Sequence, residues 1–140
     1  MAGLAEGPPP PPVLNVWLSH HYPQDYDRCV RIGRRHVCRR CLVLYAVAAL
    51  ALVLARAAGR WPAALLFLLA LPAVVEFVLE QLGSIRYSPA RQMAVSVPLG
   101  AAVGAGLDRY LRRHTDPVFW VMVIGYGAVC VAAALYAARR

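Results

Sequence analysis

An apolar run opens at Leu42 and continues to about Ala58, broken only by Arg56, and three more apolar runs follow it. The second extends from Trp61 to Leu82, the third from about Gln92 to Leu107, and the fourth from Val118 to Ala138. A helix needs roughly 20 apolar residues to cross a bilayer, which the first, second and fourth runs supply. The third is shorter and Gly-rich; extended through Tyr110, it spans if its neighbours shelter it. The chain has 140 residues, 60% of them hydrophobic and only 16% charged. One soluble domain of this size has too little interior for so much apolar surface. The fold class is therefore an all-α membrane protein, four transmembrane helices behind a short N-terminal Cys/His cap. Residues 1–18 read as a disordered proline-rich tail and a short apolar anchor carrying Trp17, 19–41 as the polar cap, and 42–140 as the bundle. Pro8 to Pro12 interrupt any signal-peptide core, and no cleaved leader is expected.

All fifteen cations are Arg, and the formal charge is +8. The arginines bracket apolar runs and form no continuous stripe, which argues against nucleic acid and for anchoring at anionic lipid head groups. With four spans, Arg28, Arg31, Arg34, Arg35, Arg39, Arg40, Arg86, Arg91, Arg139 and Arg140 share one side, and Arg56, Arg60, Arg109, Arg112 and Arg113 the other. That ten-to-five split places the N- and C-termini on the cytoplasmic side of a multi-pass cell-membrane protein. In a reducing compartment, clustered thiols favour metal over a structural disulfide.

Cys38 and Cys41 form a Cys-x-x-Cys knuckle at the entry to the first apolar run. A structural zinc site takes four N or S ligands. Cys29 and one of His20, His21 or His36 are the candidates to complete it. Zinc is the expected cofactor, with a redox-active thiol pair or bystander cysteines as rival readings. Leu42 after Cys41 excludes the haem-attachment pattern. Cys130, inside an apolar run, reads as an inert small hydrophobe.

Glu76 and Glu80, four apart, share one helix face at membrane depth, where ionisable groups are costly. They are candidates for a catalytic or polar site, against the plainer reading of a helix end and an ion pair. Gly83 offers a helix C-cap, and Ser88-Pro89 a helix start. Gln81, Arg86, Ser88 and Arg91 are candidates to bind an anion or lipid head group at that helix N-terminus. Gly100 and Gly104, with Gly106 near, suit close helix packing within the bundle or between copies, so a homo-oligomer through these glycines is an expected partner.

Two runs together resemble a family of small membrane proteins catalogued as domain of unknown function 2085. One is Cys38-Arg39-Arg40-Cys41-Leu42-Val43-Leu44-Tyr45, in which Arg40 and Tyr45 match the family's pattern and the small residue after the knuckle does not. The other, more specific, is Gln81-Leu82-Gly83-Ser84-Ile85-Arg86-Tyr87-Ser88, with Arg91 and Leu99-Gly100 beyond it. His20-His21 stand where the family carries a Cys-His pair. The resemblance spans roughly His20 to Gly104 and implies a membrane protein with a metal-binding cap, and no activity.

The leading functional expectation is a membrane protein whose cytoplasmic cap binds zinc, over a polar pocket of Glu76, Glu80, Gln81, Arg86 and Arg91. Rivals are an enzyme acting on an anionic lipid or polyprenyl phosphate, with Glu76 or Glu80 as base, and an oligomeric transporter or channel subunit.

Overall fold

The structure is a computed structural model and describes residues 29–33 and 35–139. The tail at 1–18 and the candidate ligands His20 and His21 lie outside the described residues. The chain divides into two units, residues 1–38 and 39–140.

In the first unit, β1 (Cys29–Ile32) pairs antiparallel with β2 (Arg35–Cys38). Ile32 pairs with Arg35, so the turn has two residues, and Gly33 takes a φ of 61° there. Two-residue hairpin turns demand such positive φ values, which glycine adopts without steric cost. The sequence reading of 19–41 as a polar cap assigned no strands to it.

The second unit holds four helices: α1 (Arg39–Ala58), α2 (Ala63–Gln81), α3 (Pro89–Arg112) and α4 (Pro117–Ala138). α1, α3 and α4 exceed their apolar runs, α3 most, by about a turn at both ends, while α2 falls short of its run by two residues at the start and one at the end. α1, α2 and α4 are long and apolar enough to cross a membrane. Their outer faces carry the large apolar side chains a bilayer accepts: Leu50, Val53, Leu68 and Ile124 are each at least 60% exposed. Patches of that extent are aggregation hazards in water.

α3 is the centre of the unit and packs on α1, α2 and α4. Its buried residues are mostly small or polar: Ser96, Gly100, Ala102, Gly104, Ala105, Gly106 and Asp108. Ser96, Gly100, Gly104 and Asp108 recur every four residues and so form one stripe. A Cβ on Gly100 would lie 2.8 Å from the Leu44 carbonyl oxygen, and one on Gly104 2.2 Å from that of Ala48. Only hydrogen fits at Gly104, and the two backbones touch there. The Gly100 and Gly104 face, suited by its spacing to packing within the bundle or between copies, lies against α1 of the same chain. The successive contacts also show that α1 and α3 run in the same direction.

Beside this seam, Ala55, Leu66, Ala70, Ala102, Ala105 and Met122 form the core, flanked by Trp61, Phe67 and Tyr126. The Tyr126 hydroxyl donates to the Phe67 carbonyl at 2.8 Å, which ties α4 to α2 without leaving a buried donor unpaired.

Candidate functional site

α2 stops where its sequence says it should. Gly83 has φ 71°, its N–H bonds the Glu80 carbonyl at 3.0 Å, and the Ser84 N–H bonds that of Leu79 at 2.9 Å. This double bond past a left-handed glycine is a Schellman ending. Five residues on, the Ser88 hydroxyl accepts from the Arg91 N–H at 3.4 Å and caps α3, with Pro89 at the first helical position. The short connection brings the end of α2 and the start of α3 together.

There the guanidinium of Arg91 turns back onto α2. Its Nε donates to Oε1 of Glu76 at 3.2 Å, and its terminal nitrogen donates to the Arg86 carbonyl. Glu80, one turn on, accepts from the Gln92 amide at 3.2 Å. Gln81 closes α2, and Arg86 is exposed. Glu76 is 4% exposed, and its Oε2 is buried with no hydrogen-bond partner among the described residues. Leaving such an oxygen unpaired costs on the order of 1–3 kcal/mol. Two of the residues expected to bind an anion, Arg91 and Ser88, are engaged within the chain. Arg91 is engaged by Glu76 and a carbonyl, Ser88 by capping, and the unmet demand at this end is for a donor.

The opposite end, where α1 and α3 finish and α2 and α4 begin, was not picked out from the sequence. Asp108, 0% exposed, receives Arg112 Nε at 2.8 Å on Oδ2. Arg56 Nε lies 2.8 Å from its Oδ1 as an ion pair without hydrogen-bond alignment. Arg112 also donates to the Ala55 carbonyl at 3.3 Å, so one aspartate and one arginine lace α3 to α1. Asp116, 3% exposed, caps α4 by accepting from the Phe119 N–H at 3.1 Å. It holds Arg60 at 2.8 Å and Arg109 at 3.5 Å, and Arg109 donates to the Trp61 carbonyl at 2.7 Å. Burial pushes the Asp116 carboxyl up, but the Phe119 N–H, Arg109, Arg60 and the Val118 N–H together hold it below its ordinary value. Two signals for these residues were in the sequence. Asp108 stands four before Arg112, and Asp116-Pro117 is a cap followed by proline.

In the hairpin, Cys29 and Cys38 are direct cross-strand partners and both are buried. His36 pairs with Arg31 on the same face of the ribbon. Cys41 lies in the first turn of α1, so the Cys-x-x-Cys spacing straddles the strand-to-helix junction. No disulfide joins the described cysteines. Among the described residues no three His, Cys, Asp or Glu side chains converge as a metal group. Cys130 is half-buried on α4.

No protein-family model, curated protein or solved structure matches the chain. These comparisons add nothing to the resemblance drawn from the two sequence runs.

Proposed function

We propose that the chain is an integral membrane protein with four spans, whose activity is to bind a lipid head group at the Glu76–Arg91 pair. The observation that carries the reading is the buried Oε2 of Glu76, which has no partner among the described residues. A half-satisfied buried carboxylate is a standing cost unless something donates to it. Glu76 lies five residues inside the end of α2, about 7.5 Å along the axis, within one and a half turns of the helix end that meets the head-group level.

The fourth span is α3. It is 24 residues and about 36 Å long, and between Gln92 and Leu107 it carries no charge. Its polar residues within the span face neighbouring helices, and its charges gather at the ends, as intramembrane polar groups must. The excess of arginine on the side of both termini supports a cytoplasmic placement for them.

The ligand class follows from the demand. An ammonium group donates to Glu76 once Arg91, 37% exposed, swings aside, and the exposed Arg86 is at hand for the adjoining phosphate. An aminophospholipid such as phosphatidylethanolamine carries both groups. Phosphatidylcholine has the same charges but no N–H to donate. Native mass spectrometry of the purified full chain, exchanged into an equimolar mixture of the two, should retain the ethanolamine lipid, and Glu76→Gln should erase that preference. Equal retention of both lipids by the wild-type protein would sink the reading.

A second reading, zinc held by Cys29, Cys38 and Cys41 with a histidine, is favoured by one observation: strand register sets two buried thiols side by side. Metal analysis of the purified chain beside Cys38→Ser and Cys41→Ser tests it. Less than one equivalent in the wild type removes it. The enzyme and transporter readings gain no observation of their own, since Arg91 is engaged by Glu76.

A further inference from the structure

We infer that the end of the bundle holding Asp108 and Asp116 carries a second lipid site, for an anionic phospholipid with one acyl chain laid along α4. The inference does not rest on the Glu76 reading and concerns the other membrane face. A groove of about 530 Å³ opens on α4, lined by Thr115, Pro117, Trp120, Val121, Ile124 and Gly125. All but Thr115 present apolar surface. Gly125 is part of the lining, and an added Cβ there would meet nothing within 4 Å. Trp120 is held in place by its indole N–H, which donates to the His114 carbonyl at 2.7 Å. Aromatic rings fixed in this way mark the interfacial level of a membrane helix, with apolar chain below and head group above.

The one polar residue of the lining, Thr115, holds an arginine. Thr115 accepts from Arg113 Nε at 3.2 Å, which sets that guanidinium at the groove mouth. Five arginines and two aspartates stand at this end: Arg56 and Arg112 hold Asp108, and Arg60 and Arg109 hold Asp116. Arg113, exposed, pairs with no carboxylate among the described residues. The cluster thus keeps a surplus of three positive charges beside an apolar channel. A phosphate diester with no compensating ammonium answers that surplus, and its acyl chain answers the groove. A zwitterionic lipid would bring a cation to an already positive end. A second copy of the chain would bring the same surplus to meet its own.

The test uses the purified full chain in nanodiscs of equimolar phosphatidylglycerol and phosphatidylcholine, with retained lipid read by native mass spectrometry. Wild type should retain phosphatidylglycerol over phosphatidylcholine. Arg113→Gln should lower that preference about fivefold, the effect of one partly exposed charge contact, and Arg113→Lys should keep most of it. Gly125→Leu fills the groove and should lower retention of both lipids without loss of thermal stability, since the space is open. Glu76→Gln should leave the phosphatidylglycerol preference unchanged, so this site and the ethanolamine site fail independently. Retention indifferent to Arg113→Gln and Gly125→Leu, or equal retention of the two lipids by the wild type, overturns the proposal. Loss of a dimer with no loss of lipid in Gly125→Leu also overturns it, by assigning the groove to a second copy.

Discussion

At one end of the bundle Asp108 and Asp116, 0% and 3% exposed, each hold two arginines; at the other, Glu76, 4% exposed, holds one. The three acids are equally hidden, so burial does not separate them. What separates them is charge: Asp108 Oδ1, like Glu76 Oε2, accepts no hydrogen bond, but Arg56 Nε stands 2.8 Å from it, while the one arginine paired with Glu76 among the described residues is on Oε1. Asp108 and Asp116 are cross-braces: their arginines also bond carbonyls of neighbouring elements and close the ends of α1, α2 and α4. Glu76 is met on one oxygen only. A buried charge answered by two arginines is a joint, and one answered by a single arginine is the better candidate for a site.

The largest effect that would break this contrast is at the brace. Asp108→Ala strips Arg56 and Arg112 of their carboxylate and should cost about 3 kcal/mol, the low end for a broken buried pair because both arginines can turn to solvent. Thermal unfolding in detergent micelles reads it, and a cost under ~1 kcal/mol would remove the structural reading of that end. Gly104→Ala comes next. Its Cβ would collide with the Ala48 carbonyl, so α1 must back away at a cost of about 2 kcal/mol. Because α1 carries Arg56 and not Arg91, crosslinking between introduced cysteines should loosen at the Asp108 end and hold at the Glu76 end.

Acid sharpens the contrast further. The carboxyl of Asp116 is held below its ordinary value of 3.8, so its contribution is complete above that pH and is lost as pH falls through the lower, folded-state value. Asp116→Asn should cost about 1 kcal/mol at neutral pH through the weakened cap and lost pairs. It should also flatten the acid limb of the unfolding curve. The smallest stability effect is expected at Glu76. Glu76→Gln keeps an acceptor for Arg91 and removes a charge that is incompletely met, so stability should move by less than about 1 kcal/mol while the preference for phosphatidylethanolamine disappears. A loss as large as that of Asp108→Ala would make both ends joints.

Local patterns carried much of this fold. The apolar runs placed α1, α2 and α4 within a few residues, because continuous hydrophobicity over a membrane's thickness needs no partner to be read. Gly83 and Ser88 announced the end of α2 and the start of α3, since caps are chemistry between near neighbours. Glu76 and Glu80 were legible as one face. The hairpin at Cys29–Cys38 was not: each strand has four residues, too few for alternation to speak, and a single glycine marks the turn. Asp108 and Asp116 were passed over because their arginines Arg56 and Arg60 lie on or beside another helix, about fifty residues away in sequence.

Sequence alone thus supplied the long apolar helices, their caps and the spacing of small residues on α3, all of which depend on neighbours within about one helical turn. Tertiary packing supplied the rest. It made the least apolar helix the central one, because polar and glycine-rich surface is hidden from lipid only when other helices surround it. It used Gly100 and Gly104 on α1 within the chain, which no spacing rule distinguishes from a contact between copies. It also set two arginines against each aspartate and one against Glu76. A carboxylate is satisfied by what stands across from it, and that is fixed only when the helices meet.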